Sequence, residues 1–141
     1  EQGDELTIGG PMGNMSYKGA GTFLAGGVGI MPFVCMLKAL NESEIKDSSI
    51  IASFRTDEDI LLEKEVKEIF KSHPENVEIT LTRQENPDYS QGRISIEMLK
   101  AKIKNNDQFF YICGPQLFIT DLKVNLKSIG ISEDKIITEG R

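Results

Sequence analysis

Ala25-Gly26-Gly27-Val28-Gly29-Ile30-Met31-Pro32 is the stretch whose reading decides the fold. Thr22-Phe23-Leu24 lead into it, and residues 22–26 read together as a short buried strand. An apolar run at helical spacing follows over 30–40, with Pro32 in its first turn, where proline is tolerated. A strand that turns through glycines into a helix is suited to an anion. Glycine lets the backbone turn tightly and approach a phosphate, while the N–H groups at a helix start face its charge. Gly26, Gly27, Val28, Gly29 and Ile30 are therefore candidate pyrophosphate-binding residues. The bland alternative is a tight turn without a ligand, and Pro32 stands where the usual dinucleotide fingerprint has its third glycine. The strand-to-helix context favours the phosphate.

Outward from this motif the same alternation recurs. Residues 49–54 (Ser-Ile-Ile-Ala-Ser-Phe) form a second apolar run, and 77–82 (Val-Glu-Ile-Thr-Leu-Thr) alternate as a third strand. Residues 108–113 (Gln-Phe-Phe-Tyr-Ile-Cys) make a fourth strand, closed by Gly114-Pro115, and 135–138 a fifth. Between them lie helical patterns over 58–71, around Ile96-Leu99-Ile103, and over Ile119-Leu122-Leu126-Ile129 with Gly130 as its stop. Residues 84–92, with Asn86-Pro87-Asp88 and Gly92, read as a loop. The predicted fold class is α/β: a doubly wound, five-stranded parallel sheet with helices on both faces and right-handed crossovers. Residues 22–141 make up that domain. Residues 1–21 are rich in glycine around the short Leu6-Thr7-Ile8 and read as the tail and linker of a different unit.

Two further motifs fall where such a sheet binds its ligand, beyond the carboxyl ends of the strands. Cys113-Gly114-Pro115 ends the fourth strand, and its thiol is expected in the same crevice as the glycine loop. Taken alone it would be a small buried cysteine before a helix-starting proline. Arg55 and Thr56 follow the second strand, where an acid reads a free ribose hydroxyl and an arginine a 2′-phosphate. Asp57, Glu58 and Asp59 stand beside them, but Thr56-x-x-Asp59 has the spacing of a helix capping box, which would occupy the acid. Arg83, after the third strand, is a second cation that could reach the same phosphate or simply lie exposed. His73, before Pro74, reads as solvated.

Composition excludes other classes. A net charge of −6, from 22 acidic and 16 basic residues, lacks the basic footprint of a nucleic-acid binder. Cys35 and Cys113 are too far apart for a Cys-x-x-Cys pair, and the one histidine has no ligand partner, so no metal site is expected. No apolar run approaches the roughly 18 residues of a membrane span. The default compartment is a reducing cytoplasm.

These residues resemble the NAD(P)H-binding half of the ferredoxin-NADP reductase superfamily, above all its flavodoxin/ferredoxin reductase-like and oxygenase-reductase-like members. The resemblance runs through Gly10-Pro11-Met12-Gly13-Asn14, the glycine loop with Pro32, Arg55-Thr56 with Asp59-Ile60, Gly92-Arg93-Ile94, Tyr111-Ile112-Cys113-Gly114-Pro115 and Thr138-Glu139. Met31 stands where the family usually has Thr or Ser. The resemblance implies a domain that binds NAD(P)H and works with FAD, passing hydride to the flavin and then electrons to a ferredoxin- or flavodoxin-like acceptor. Cys113 would position the nicotinamide without attacking it, and Gly114 and Pro115 would line its site. The family's flavin-binding Arg-x-Tyr-Ser-type motif is not in the sequence. The resemblance therefore implies a flavin-binding barrel of about 100 residues upstream or on a separate subunit, with residues 1–21 as its remnant and the chain inactive by itself. The alternative is a stand-alone nucleotide-binding or electron-transfer adaptor subunit without turnover.

Overall fold

The computed structural model describes residues 7–8, 15–104 and 107–138. Among the described residues there are eight strands: β1 (Thr7–Ile8), β2 (Met15–Ser16), β3 (Gly21–Gly26), β4 (Ser49–Phe54), β5 (Val77–Leu81), β6 (Ser90–Gln91), β7 (Phe109–Cys113) and β8 (Ile136–Thr138). The α-helices are α1 (Ile30–Lys38), α2 (Glu42–Lys46), α3 (Glu63–Ile69), α4 (Ile96–Lys102) and α5 (Gln116–Ser128). Strands β3 to β8 form one sheet in the order β6-β5-β4-β3-β7-β8, and every pairing in it is parallel.

The period-2 alternation of the strands sorts side chains between two cores. Phe23, Ala25, Ile50, Ala52, Tyr111 and Cys113 point to one face, which is covered by Phe33, Met36 and Leu37 of α1, Ile45 of α2 and Val66 of α3. Leu24, Ile51, Phe110 and Ile112 point to the other, covered by Leu99 of α4 and Ile119, Leu122 and Leu126 of α5. Each of these strands is buried on both faces, so it reads as a continuous apolar run. The expected doubly wound α/β architecture is the one found.

The differences in detail have local causes. The sheet has six strands, because Ser90–Gln91, inside the stretch expected to be a loop, pair in parallel with Thr80 and Leu81. Two polar residues give no periodic signal. Their place is set by neighbours, since Thr80 Oγ1 donates to the Gly92 carbonyl at 2.6 Å and Gly92 N–H donates to that of Leu81 at 2.8 Å. The helix expected over 58–71 is split into a 3-10 turn at Asp57–Asp59 and the shorter α3, separated by Leu62 at φ 59°. The last strand starts at Ile136, since Glu133–Lys135 form a 3-10 turn. Helix α2 was not foreseen. Asn41 starts it with a full capping box, accepting from Glu44 N–H at 2.9 Å while Glu44 accepts from Asn41 N–H at 3.0 Å. His73, expected solvated, pairs with Glu42 at 2.8 Å.

Thr7–Ile8 pair antiparallel with Met15–Ser16 and stay outside the main sheet. Met15 is nonetheless buried in the core beneath α1. Residues 9–14, which include the Gly10-Pro11 motif, and Glu139 and Arg141 lie outside the described residues.

Candidate functional site

The chain runs from β3 to β4, β5 and β6 on one side, then returns to β7 and β8 on the other. The reversal lies between β3 and β7, and in an open parallel sheet a ligand binds at the carboxyl ends of such a pair. Ala25 is in register with Cys113 there, so the two glycine motifs emerge side by side.

The motifs fit together through backbone. A Cβ on Gly29 would overlap the Cys113 carbonyl oxygen, and one on Gly114 would lie 2.7 Å from the Phe118 ring and 3.2 Å from the Gly26 Cα. Gly27 is required for a different reason. Its φ of +57° is left-handed, and no atom stands within 4 Å of where its Cβ would be. One glycine lets two chain segments touch, while the other turns the chain with open space above it.

Beyond Gly27 come the first helical turns, and the opening N–H groups of a helix have no partner in its own ladder. Neither the 3-10 turn at Gly27–Gly29 nor α1 has a side-chain cap, and no acid lies in the first turn of either. Helix α5, starting after Pro115 at the other side of the crevice, likewise has no side-chain cap and no acid in its first turn. Two uncapped helix starts, each with partial positive charge, converge at one place.

A cavity of about 400 Å³ opens here, lined by Gly26, Gly27, Val28, Ser53, Arg55, Asp59, Thr82, Pro115 and Phe118 among others. It continues past Ser53, Arg55, Thr82, Pro115 and Phe118 into one of about 590 Å³ that reaches Arg93 and the Leu117 to Asn125 face of α5. The chain's arginines are Arg55, Arg83, Arg93 and Arg141. The three described ones follow β4, β5 and β6 at the carboxyl edge of the sheet, where Asp57, Glu58 and Asp59 also lie.

The family model for the oxidoreductase NAD-binding domain matches residues 23–123, a span that includes the glycine loop, Arg55, Thr82, Arg93, Pro115 and Phe118. The chain belongs to that family. NADH-cytochrome b5 reductase 1 of Dictyostelium discoideum is 32% identical over 147 residues, covering 96% of this chain and 51% of the relative. The NADH nitrate reductase of Volvox carteri is 30% identical over 160 residues, covering 96% of this chain and 18% of that enzyme. Among solved structures, the FAD/NAD-binding domain of nitric oxide dioxygenase from Vibrio cholerae superposes with a TM-score of 0.78 at 18% identity, covering 90% of this chain and 54% of that one. The cytochrome b5 reductase domain of Ulva prolifera nitrate reductase gives 0.75 at 24%, covering 92% and 56%. These likenesses place the fold with the reductase superfamily anticipated from the motifs. The chain spans about half the length of the cytochrome b5 reductase it matches.

In this NAD-binding domain the expected site residues have different fates. Gly26, Gly27, Val28, Arg55 and Pro115 line the crevice. Gly29, Ile30 and Gly114 lie just beneath it, where Gly29 and Ile30 are buried and Gly114 is half-buried. Thr56 caps its own turn: its N–H and Oγ1 donate to Asp59 Oδ2 at 3.1 and 3.0 Å. Asp57 is held by the next loop, with its N–H donating to Gln84 Oε1 at 2.6 Å and its Oδ2 accepting from Asn86 at 3.2 Å. Two of the three neighbouring acids thus have structural work. Arg55 forms no ion pair among the described residues. Arg83 is exposed and reaches Arg55 through backbone, its N–H donating to the Arg55 carbonyl at 2.9 Å.

The Cys113 side chain is fully buried in the core beneath α1, and its carbonyl is what meets the glycine loop. The expectation that the thiol itself lines the open crevice is corrected. An odd-numbered position in β7 shares the face of Phe23 and Ala25, which α1 covers.

Ser53, Thr82, Phe118 and Arg93 are among the crevice residues that local sequence did not mark as site residues. Ser53 is in register with Gly26 on the neighbouring strand, and Thr82 follows β5, its N–H donating to the Phe54 carbonyl at 2.9 Å. Phe118 lies over both Gly26 and Gly114. Arg93 faces Asp121 of α5 at 3.7 Å, with both side chains mostly exposed. Gly92-Arg93 was visible as a motif, but nothing local announced which cavity it borders. Phe118 was hidden because its amphipathic helix gave it no distinct role. Among the described residues no cluster could hold a metal ion, and no helix is long and apolar enough to cross a membrane.

Proposed function

We propose that this domain binds NAD(P)H and presents its nicotinamide to a flavin carried by the other half of a reductase. The observation that carries this is the convergence of two uncapped, acid-free helix starts on the β3–β7 switch point, where the glycines leave open space. The N–H groups of Gly27–Gly29 would hold the pyrophosphate at this helix start. The adenosine half extends past Arg55 and Thr82 toward Arg93. Phe118 and Pro115 shape the wall between the two.

The nicotinamide and a flavin on the other half would, when bound, supply the hydride and electron-transfer chemistry. The residues of this chain supply position: Gly29 and Gly114 bring the two loops together, and Cys113 fixes the floor behind the nicotinamide. In this reading residues 1–21 are the end of the flavin-binding unit and its linker, and the chain by itself turns nothing over. The Dictyostelium relative is named for cytochrome b5, which supports a haem protein as the electron acceptor ahead of a ferredoxin or flavodoxin. It and the Volvox relative are named for NADH. Arg55, with Asp57 and Asp59 beside it engaged, supports acceptance of the 2′-phosphate of NADPH as well.

Titration of the chain with NAD⁺ and NADP⁺, followed by calorimetry, tests the reading. Saturable binding of either nucleotide, weakened by salt and by Gly27→Val, is expected; binding of neither overturns it.

A further inference from the structure

The fully buried Tyr111 has a hydroxyl with no part in the crevice. It accepts hydrogen bonds from Lys18 N–H at 2.8 Å and Gly19 N–H at 3.0 Å, and donates one to the Gly19 carbonyl at 2.7 Å. A phenol has one donor and room for two acceptor contacts, so all its capacity goes to two residues 92 and 93 positions away.

The surrounding groups tighten the same grip. The Tyr111 ring lies between Phe23, at 4.5 Å and 11°, and Tyr17, at 6.1 Å and 12°. Gly19 has φ +150°, and a Cβ there would meet the Phe109 ring at 3.1 Å. A Cβ on Gly21 would overlap the Phe109 carbonyl oxygen. Residues 17–21 are thus wrapped onto β7 by four independent contacts.

We propose that the Tyr111 hydroxyl is a latch that fixes how the chain enters the sheet, and through this the position of the flavin-bearing half relative to the nicotinamide. The proposal rests on the functional reading above. Its mechanical basis is β7 itself. Tyr111 and Cys113 are two residues apart on one face of one strand, about 7 Å along it. The strand that holds the linker at 111 holds the glycine loop at 113 and 114. Tyr111 is a positioning residue: it acts on the distance over which hydride passes and leaves nucleotide binding alone.

The first test uses the chain as it stands. Tyr111→Phe keeps the ring stack and removes the hydroxyl, so amide exchange at Lys18 and Gly19 should accelerate about tenfold, with NAD⁺ affinity unchanged. Gly19→Ala, which strains the same turn from the other side, should give the same signature. Unchanged exchange at both amides in the two variants overturns the latch. In the flavin-bearing protein, Tyr111→Phe should slow flavin reduction by bound NADH several-fold in single turnover with the nucleotide Kd unchanged. An unchanged rate, or a rate that falls only as affinity falls, overturns the positioning role. If the unsubstituted protein reduces no flavin, the functional reading fails, and the exchange experiment still decides the latch.

Discussion

The helices of this domain begin differently, and between the extremes lies α3, which has no side-chain cap after Leu62 but carries Glu63 and Glu65 in its first turn. Helices α2 and α4 start conventionally: Asn41 and Ser95 accept from Glu44 and Met98 N–H, and Glu42, Glu44 and Glu97 put negative charge in the first turn. Helices α1 and α5 have neither a side-chain cap nor an acid there. In a chain with 22 acidic residues that difference is informative. Capping satisfies the orphan N–H groups of a helix, and an acid near them adds roughly 0.3–1 kcal/mol. Where both are missing, the stabilisation has been left to something else. Both such starts open on the one crevice, while the capped starts of α2 and α4 do not line it. On the proposed function, the difference separates helix starts that serve the fold from those left for an anionic ligand.

The largest effect expected in breaking this comparison comes from Gly29→Val. The added side chain overlaps the Cys113 carbonyl, so the variant should lose nucleotide binding and about 1–3 kcal/mol of stability, measured by calorimetry and urea unfolding. Gly27→Val, where space is open but φ is left-handed, should hurt binding with a smaller loss of stability. Equal stability losses in the two would mean that steric contact and backbone conformation are not the separate requirements assigned here.

Arg55→Ala comes next. One charge-assisted contact is worth roughly 1.5–3 kcal/mol, so NADP⁺ affinity should fall about tenfold to a hundredfold relative to NAD⁺, most clearly at low salt. Tighter NAD⁺ than NADP⁺ binding that Arg55→Ala leaves untouched would remove Arg55 from the site.

On the capped side, Ser95→Ala deletes the acceptor for Met98 N–H at 3.1 Å and should cost about 1 kcal/mol of stability. Nucleotide affinity should not move. A matching loss of affinity would blur the division between the two kinds of helix start.

Met31→Glu gives the smallest and sharpest effect. Met31 is 52% exposed in the first turn of α1. A carboxylate there should raise stability of the unliganded domain by about 0.3–1 kcal/mol through the helix dipole while weakening NAD⁺ binding by repelling its phosphates. Opposite signs in the two measurements identify this turn as one kept acid-free for a ligand. If affinity and stability rise together, the pyrophosphate binds elsewhere.

Much of the fold was legible because its signals are local. The glycine loop, the apolar strand runs and the Ile119-Leu122-Leu126 spacing each depend on residues within one element or one turn. Gly27's left-handed turn and the capping role of Asp59 are likewise properties of a few adjacent residues. Apart from the short helix α2, whose Asn41–Glu44 capping box is local, what could not be read involves partners outside the element concerned. Ser90–Gln91 become a strand because Thr80 and Leu81 offer an edge, and Phe118 matters because Gly26 and Gly114 meet beneath it. Cys113 turns inward because α1 covers that face of β7, and Tyr111 finds its hydrogen-bond partners more than 90 residues away. The sequence by itself determined where the backbone could bend and which faces had to be buried, since those follow from local conformational preference and hydrophobic periodicity. The tertiary structure alone decided which arginine borders the crevice, which cysteine atom faces the loop and what grips the entering chain, since those depend on long-range packing that leaves no periodic trace.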